Sequence, residues 1–490
     1  MDYRCGRTWS GTLAGLAGLA VCAAASGQAT IRGERPERVV IDGVFEEWIG
    51  TGAAINDPLG DADGAFDLGE VKLASAGGKL FVLFETNAPE HNLQSGRPQD
   101  GSVVLTVVDE EGDELTVDTR AKRVTLVRDG SAQAGNWTLA GYTALPTFAA
   151  ERYEMVVDLA PLDVEDGDVV RVSFSGSDAT ATVRTRVRMA EPEEVVTPAD
   201  RAVGTDHRLF VLNTLRNGLT NPGRAPIIGR KLRAAQPDVL LLQEEWQTSP
   251  GAAKAALDVL YPLEGGGSWN VVKNDGCFVA SPLPLIELPT SNNRYAAAIV
   301  APVDEPHRAF VAVSVHFKCC GSAGSNEDVQ RVEQAREIAT LIAALRAAGD
   351  DSPVAEYRDA PVVVGGDWNL VGSRAPLDVL TSPDGADLEP VQLLDLVNRS
   401  AVTWVNESSD FSPGRLDLVA VSDDATPLKS FVLNTRTLPA EAAADLGLEG
   451  DDSRRASDHL PLVIDVALTR GKIASEGGEG GDGPAPSSTN

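Results

Sequence analysis

The hydrophobic pattern of the chain changes near residue 206, and this change most constrains what the chain can fold into. Residues 31–190 contain short runs in which apolar and polar residues alternate, such as 79–84, 102–108 and 169–174. Such runs, separated by turn signals, predict an antiparallel β-sandwich. The rest of the chain, up to residue 469, instead alternates strand-like apolar runs with helical segments, which predicts an α/β or α+β domain.

The length of 490 residues also exceeds what one ordinary core accommodates, so two or three domains are expected. The polar stretch before residue 207 contains Pro and Glu and is typical of a linker, whereas the Gly-rich end of the chain cannot bury a core. We predict these segments: a signal peptide at 1–29, the β-sandwich at 30–190, a linker at 191–206, the α/β domain at 207–469 and a disordered tail at 470–490.

The first residues have the features of an export signal. Arg4 and Arg7 precede an apolar run at 13–25, and small residues are placed for cleavage near Ala29. A lipoprotein signal would use Cys22, but the bulky residue before it fits that motif poorly. The run is too short for a good membrane span, and no later segment is long and apolar enough. We therefore expect a secreted or periplasmic protein without a transmembrane segment, and a monomer.

The charge and the cysteines narrow the classes of partner and metal. With 42 Lys+Arg against 72 Asp+Glu, the formal charge is −30, which repels nucleic acid and anionic membranes at long range unless a local basic or metal-bearing cleft overrides it. After removal of the signal, Cys277, Cys319 and Cys320 remain, without the spacing of a zinc site. A disulfide from Cys277 and a set of free thiols stay equally open.

Polar side chains end or interrupt six apolar runs of the second domain. In VVVGGDWN, three valines and two glycines lead to Asp367 and Asn369, which face one side if the chain stays extended. The other five runs lead to Asn213, to Glu244, to His316, to Arg415 with Asp417, and to Asp458 with His459. Each one alone fits an ordinary strand end. Together they predict that a rigid sheet presents carboxylates, amides and imidazoles at one converging site.

These pieces occur in the order Asn213, PDVLLLQE, a strand ending in His316, GDWN, RLD and SDH. In this order they resemble the endonuclease/exonuclease/phosphatase superfamily, the DNase I-like fold, over about residues 205–468. The resemblance implies a four-layer sandwich of two packed β-sheets flanked by helices, with the site at one end. It also implies hydrolysis of phosphoester bonds assisted by Mg²⁺ or Mn²⁺.

The resemblance further implies a role for each matching residue. The implied metal ligands are Glu244, Asn213 and Asp458, and oxygen ligands suit Mg²⁺. The implied catalytic residues are His316, Asp367, Asn369, Asp417 and His459. Among them, Asp367 and Asn369 orient or activate the attacking water. His459 is held by Asp417, and His316 contacts phosphate or protonates the leaving oxygen.

Some assignments within the motifs stay open. Glu245 directly follows Glu244, and strand alternation favours Glu244 as the residue that faces the site. Arg415 binds either phosphate or a neighbouring acid. Arg294 and Tyr295 lie in the interval where members of the superfamily often place a phosphate-contacting residue, which is a weak match.

The first domain carries a second, partial resemblance. VVIDGVFEEWIG (39–50) and the acidic segment at 57–74 resemble the opening of family 9-like carbohydrate-binding modules, which implies a carbohydrate partner. Four carboxylates in a Gly-rich loop suit Ca²⁺, and the alternative is a solvated acidic loop; they are Asp57, Asp61, Asp63 and Asp67. Trp48 and Trp137 either stack on sugar rings or, as is more common, lie in the core.

Three classes of function follow. The first is a secreted metal-dependent phosphodiesterase or nuclease, acting on nucleic acid or a smaller phosphodiester. The second is a phosphomonoesterase or a sphingomyelinase-type phospholipase. The third is a surface or carbohydrate-binding protein without catalysis, against which the complete set of site residues argues. The fold alone does not choose the substrate.

The export signal leads to a direct prediction. We expect N-terminal sequencing of the exported protein to begin near Thr30, because the small residues before it permit cleavage there. An exported protein that still begins at Met1 would contradict the assignment of a cleaved signal peptide.

Overall fold

The computed structural model of the protein describes residues 39–61, 67–93, 103–176, 182–190 and 199–469. The predicted signal peptide, the first part of the predicted linker and the predicted tail lie outside these residues. Within them, each of the two predicted regions contains two β-sheets. The predicted fold class, an all-β domain followed by a sandwich of two sheets with helices, is confirmed.

The first domain is built from antiparallel strands only. They form one sheet in the order β1-β2-β3-β9-β8 and another in the order β11-β10-β4-β5-β6-β7. The strands are β1 (Ile55–Asn56), β2 (Leu68–Ala76), β3 (Lys79–Thr86), β4 (Val103–Val108), β5 (Glu114–Asp118), β6 (Arg123–Arg128), β7 (Ser131–Gly135), β8 (Thr143–Leu145), β9 (Arg152–Asp158), β10 (Val169–Gly176) and β11 (Val183–Arg186). In β4 the buried positions alternate with half-buried ones, as expected for strands with one face in a core.

The second domain contains two mixed sheets. Their strand orders are β14-β15-β13-β12-β24-β23-β21 and β16-β17-β18-β19-β22-β20. The strands are β12 (His207–Asn213), β13 (Val239–Gln243), β14 (Asn270–Asn274), β15 (Cys277–Ser281), β16 (Leu285–Glu287), β17 (Tyr295–Val300), β18 (Phe310–His316), β19 (Val362–Asp367), β20 (Glu389–Pro390), β21 (Leu394–Asp395), β22 (Asp417–Val421), β23 (Ala425–Val432) and β24 (Leu462–Leu468). The α-helices are α1 (Ala225–Ala235), α2 (Pro250–Leu260), α3 (Asn326–Arg346), α4 (Ala375–Thr381), α5 (Ala440–Asp445) and α6 (Asp452–Ala456).

Three apolar cores stack these elements into four layers. The middle core lies between the two sheets and includes Val211, Leu241 and Val363. One outer core packs the first sheet against α1 and α2, and the other packs the second sheet against α3 and α4. Because the central strands are covered on both sides, β12, β13, β18, β19 and β22 are buried at every position.

Strand register brings the polar ends of the strands to one edge. In the first sheet, β12 and β13 run parallel, so Asn213 pairs with the last residue of β13. In the second sheet, His316 pairs with Asp367 across a parallel pair, and Asp367 pairs with Asp417 across an antiparallel one. Residues that are far apart in the chain are therefore neighbours at this edge.

The two glycines before Asp367 allow close packing. Gly366 has φ of +149°, and a Cβ there would collide with the carbonyl oxygen of Val315. A Cβ on Gly365 would lie 3.1 Å from side-chain atoms of Leu241 and Val419, which come from both sheets. The glycines therefore let β19 approach its neighbours where the site forms.

The described end of the predicted linker, residues 199–206, packs against the second domain. Arg201 Nη1 donates to Asp238 Oδ2 at 2.7 Å, and the Ala202 N–H donates to Asp465 Oδ2 at 2.7 Å. Hydrogen bonds therefore anchor this segment to the α/β domain. None of the helices in the described ranges has the length and apolar character that a membrane span needs.

Lys231 on α1 gives a prediction about stability. The side chain is fully buried, and burial lowers its pKa to about 7. The unfolded chain then binds a proton that the folded chain lacks, so this residue makes stability rise between about pH 7 and 10. We expect Lys231→Met to raise the free energy of unfolding at pH 7 by roughly 1 kcal/mol or more and to flatten that rise. Urea unfolding between pH 6 and 10 measures both effects.

Lys254→Met on α2 is the matched control, since the Lys254 side chain is 46% exposed. It should change neither the stability nor its pH dependence by more than a few tenths of a kcal/mol. A Lys231→Met protein that is less stable than the wild type at pH 7 would contradict the argument from burial.

Candidate active site

The polar strand ends form one buried cluster around Asp367. Asp367 Oδ2 accepts a hydrogen bond from Asn213 Nδ2 at 3.1 Å. The same oxygen lies 3.6 Å from His316 Nε2 and 3.9 Å from His459 Nε2. Asn213 Nδ2 also donates to Glu244 Oε1 at 3.2 Å. The structure therefore brings together the residues that the sequence predicted at the ends of β12, β13, β18 and β19 and in the segment before β24.

Burial changes the acid–base chemistry of Asp367. The side chain is 2% exposed, and burial raises the pKa of its carboxyl well above the usual range. The charge of His459 opposes this rise in pKa, whereas the neighbouring carboxylates of Asp417 and Glu244 add to it. A carboxylate with a raised pKa is a stronger base than an exposed one and can accept a proton at neutral pH.

His459 is held by a buried carboxylate. Its Nδ1 lies 2.8 Å from Asp417 Oδ2, and the Asp417 backbone N–H donates to Thr403 Oγ1 at 2.9 Å. Burial alone would lower the pKa of His459, but the charges of Asp417 and Asp367 outweigh it and raise the pKa to about 10. The neighbouring carboxylates therefore favour the protonated form of His459.

His316 has the opposite character. Burial, together with the positive charges of Arg294, His459 and Lys318, lowers the pKa of His316 to about 3. Its Nε2 lies 4.0 Å from Glu244 Oε1, and its ring is 5.8 Å from that of Trp246. Two histidines with pKa values pushed apart can serve different steps of one reaction.

Glu244 reaches the cluster for a different reason than strand alternation. β13 ends at Gln243, and Glu244 has φ of +64°, a left-handed conformation. Its Oε2 accepts the backbone N–H of Arg216 at 2.9 Å, and its carbonyl oxygen accepts that of Asn217 at 2.8 Å. Glu244 therefore reaches the cluster through a turn after β13 and not through strand alternation, and it is the glutamate that was predicted to face the site.

Glu245 points away from the cluster into a set of structural hydrogen bonds. Its carboxylate is fully buried and accepts Thr214 Oγ1 at 2.6 Å, Thr248 Oγ1 at 2.5 Å and the Leu219 N–H at 2.8 Å. With three donors on one buried carboxylate, Glu245 holds the segment from Thr214 to Leu219, which follows β12, in place.

Asn369 also departs from the expected extended geometry. β19 ends at Asp367, and Asn369 has φ of +49°. Its backbone N–H donates to Asp367 Oδ1 at 3.0 Å, and its Nδ2 donates to the carbonyl oxygen of Phe317 at 3.3 Å. A tight turn, not strand alternation, therefore keeps Asn369 beside Asp367.

Asp458 lies beside the cluster, but other residues hold it. Trp404 Nε1 donates to Asp458 Oδ2 at 3.1 Å, and Asn406 Nδ2 approaches the same oxygen at 3.4 Å. Neither Trp404 nor Asn406 belongs to a motif, and they lie more than fifty residues before Asp458. Sequence reasoning missed both, together with Thr403.

The donor set fits a divalent cation. Glu244, Asp367, Asp417 and Asp458 bring four carboxylates to one cluster, and hard cations take such oxygen ligands. Asp417 Oδ1 and Asp458 Oδ1 are buried without a hydrogen-bond partner among the described residues. Possible ligand atoms of Asp367, Asp417 and His459 also lie within 4.8 Å of one another.

The weaker phosphate-binding predictions have different outcomes. Arg415 lies outside the cluster: Nη2 donates to the Val391 carbonyl oxygen at 3.2 Å, and Nη1 lies 3.5 Å from that of Asp42. Tyr295 is 1% exposed and belongs to the apolar core, with its hydroxyl 3.2 Å from Ser291 Oγ. Neither is placed to contact a phosphate at the cluster. Arg294 is half-buried, and its charge acts on His316.

The candidate calcium residues of the first domain do not gather into a site within the described residues. Asp67 is buried and accepts the Gly60 N–H, whereas Asp61 is exposed and Asp63 lies outside the described residues. Asp57 is half-buried. The group whose ligand atoms do converge in this domain is Asp42, Glu47 and Glu154.

One candidate sugar-binding tryptophan lies in the core, and the other is half-buried. Trp48 is 1% exposed, and its Nε1 lies 3.2 Å from Glu154 Oε2. Trp137 Nε1 donates to the Ser409 carbonyl oxygen of the second domain. Cys277 is a buried free thiol, and Cys319 and Cys320 are exposed free thiols.

A cavity of about 770 Å³ opens beside Asp458. Its lining includes three arginines, namely Arg216, Arg436 and Arg454. Arg436 pairs with Glu407 at 2.7 Å and Arg454 with Asp451 at 2.6 Å, whereas the Arg216 side chain has no carboxylate partner in the described part of the chain. The lining also contains the carboxylates of Glu407 and Asp458, and Arg216 is the one arginine of the cavity without a carboxylate partner among the described residues.

One family of proteins and several solved structures are similar to this chain. The model described as "Endonuclease/Exonuclease/phosphatase family" matches residues 212–459, just over half of the chain. Similar solved structures include an endonuclease/exonuclease/phosphatase from Bacteroides vulgatus, 16% identical with a TM-score of 0.36, covering 54% of this chain and 99% of that one. Another is the AP endonuclease LMAP from Leishmania major, 12% identical with a TM-score of 0.37, covering 56% and 93%. No curated protein matches the chain.

The two adjacent glutamates give a paired prediction. Glu245→Ala leaves the buried Leu219 N–H and two hydroxyls without their acceptor, so the free energy of unfolding should fall by roughly 2 kcal/mol or more. Glu244→Ala removes one of several crowded carboxylates and should cost clearly less. Urea unfolding of both variants checks this, and an equal loss of stability would contradict the different surroundings of the two side chains.

Proposed function

This chain belongs to the endonuclease/exonuclease/phosphatase family and is a phosphoester hydrolase, and we propose that it is an exported, metal-dependent phosphodiesterase. The observation that carries the proposal is the buried cluster in which Asp367 Oδ2 meets Asn213 at 3.1 Å, His316 at 3.6 Å and His459 at 3.9 Å. A basic carboxylate, a neutral imidazole and a cationic imidazole around one point are suited to water attack on phosphorus.

The residues around Asp367 have different roles, which follow from their charges. Asp367 accepts the proton of the attacking water, and the N–H of Asn369 holds Asp367 Oδ1 in place at 3.0 Å. His459, cationic and oriented by Asp417, stabilises the charge on the phosphoryl oxygens or protonates the leaving oxygen. His316 contacts the phosphate as a neutral hydrogen-bonding group.

A divalent cation completes this set of residues. Glu244, with Asn213 and Asp458, would hold Mg²⁺ or Mn²⁺, which would neutralise charge on the phosphate. The crowded carboxylates support this assignment, since like charges are costly to keep together in a buried site without a cation.

The cavity beside Asp458 favours a diester as the substrate. It offers about 770 Å³ and the Arg216 side chain without a carboxylate partner among the described residues, which suits a substrate that continues beyond the scissile phosphate and carries a further anionic group. A short phosphodiester or an oligonucleotide has this chemistry. A small phosphomonoester substrate would leave the cavity unused.

The proposal is tested with a phosphodiester reporter and a phosphomonoester reporter, each with Mg²⁺ and with chelator. We expect the diester to be cleaved faster and the chelator to abolish cleavage. His459→Ala and Asp367→Asn should each lower turnover by roughly 10²-fold or more, the scale of losing a charge-stabilising or acid–base group. Glu244→Gln should raise the Mg²⁺ concentration that gives half-maximal activity.

His307→Ala is the matched control, because His307 lies just before the start of β18, whereas His316 ends that strand at the site. It should hydrolyse the diester like the wild type. Full activity with chelator, or wild-type turnover of His459→Ala, would refute the proposed mechanism.

A further inference from the structure

One irregular loop, residues 403–416, contacts two acidic residues of the site. Thr403 Oγ1 accepts the Asp417 N–H at 2.9 Å, and Trp404 Nε1 donates to Asp458 Oδ2 at 3.1 Å. The Val405 N–H donates to the Asp458 carbonyl oxygen at 2.8 Å. Residues 405–408 also line the cavity beside Asp458. The loop therefore contacts the backbone of Asp417 and the carboxylate of Asp458.

The first domain touches the same loop near its tip. Asn136 Nδ2 and Trp137 Nε1 both donate to the Ser409 carbonyl oxygen, at 3.0 and 3.1 Å. Asn136 Nδ2 also lies 3.4 Å from the carbonyl oxygen of Glu407. The ammonium group of Lys122 lies 3.5 Å from the centre of the Phe411 ring.

The first domain also holds the end of the loop that leads into β22. Thr147 Oγ1 accepts the Arg415 N–H at 2.8 Å and lies 3.3 Å from the Arg415 carbonyl oxygen. Gly414, next to it, bonds Trp404 in both directions through the backbone, at 3.0 and 3.1 Å. The first domain therefore bonds the loop at its tip, at Ser409, and at its end, at Arg415. The beginning of the loop bonds Asp458 through Trp404.

We propose that the β-sandwich domain positions the active site by holding the 403–416 loop, with Asn136, Trp137 and Thr147 as positioning residues. The proposal rests on the proposed function for its effect on turnover. The loop forms only isolated bridges and no strand of its own, so few of its backbone groups are fixed by a sheet. Hydrogen-bond donors of the first domain fix the loop instead. Because Trp404 bonds Asp458, a shift of the loop would also move the Asp458 carboxylate.

The test uses the full chain with the double change Asn136→Asp and Trp137→Phe. Asp at 136 retains the oxygen that accepts the Thr138 N–H at 3.1 Å, but it loses the donor to Ser409. Phe at 137 retains an aromatic ring and loses the indole N–H. Loss of two hydrogen bonds to the loop should speed hydrogen exchange of the Trp404 and Val405 amides by about tenfold and lower kcat/KM for the diester reporter by a similar factor.

The matched control is Gln392→Ala, which removes another cross-domain hydrogen bond, from Gln392 Nε2 to Asp42 Oδ2 at 2.7 Å, without touching the loop. It should leave both the exchange rates and kcat/KM at wild-type values. Wild-type behaviour of the double variant, equal impairment by the control, or faster exchange with unchanged kcat/KM would each overturn the proposal.

The two arms of the experiment separate this inference from the proposed function. If the wild type cleaves neither reporter, the proposed function fails, and the exchange rates still decide whether the first domain holds the loop. If the wild type cleaves the diester and the double variant does so equally well, the proposed function stands and the positioning role fails.

Discussion

The structure depends on keeping several carboxylates close together in a buried site. Asp367 and Asp417 are paired across neighbouring strands, and Glu244 and Asp458 come to the same edge. Burial and like charge both make this arrangement costly. The protein offsets the cost with the cation of His459 and the amide of Asn213. Two carboxylate oxygens still have no partner among the described residues, which is the physical basis for proposing a bound divalent cation.

Rigid packing makes this crowding possible. The central strands are buried on both faces, and the glycines at 365 and 366 let β19 lie close to its neighbours. A side chain at the end of such a strand has little freedom to move away from a like charge. The same packing separates the two histidines chemically, because His459 has a carboxylate partner at 2.8 Å, whereas His316 is buried near positive charges. One imidazole is therefore charged and the other neutral at the same pH.

The first domain is tied to this chemistry through the 403–416 loop. Trp137, for which the sequence left sugar stacking or a core position open, donates its indole N–H to the second domain. Trp48 is a core residue beside Glu154. These contacts support structural roles for both tryptophans, and the resemblance of the first domain to a carbohydrate-binding module stays a prediction. The described end of the predicted linker is anchored to the second domain through Arg201 and Ala202.

The sequence by itself determined the fold class and the candidate residues of the site. Apolar runs covered on both sides require layers around a sheet, and a polar residue at the end of each run can lie only at a sheet edge. These local patterns are written in consecutive residues, so Asn213, His316, Asp367, Asp417 and His459 were found without coordinates. Only the tertiary structure decided how they meet. Glu244 and Asn369 adopt left-handed backbone conformations that no alternation rule contains. Trp404 bonds the carboxylate of Asp458, and Thr403 bonds the backbone N–H of Asp417, although both partners lie many residues later in the chain. The Arg415 side chain lies at the interface with the first domain, and Tyr295 lies in an apolar core. Such contacts depend on distances between distant segments, and those distances are set by how the sheets, the loop and the first domain pack together.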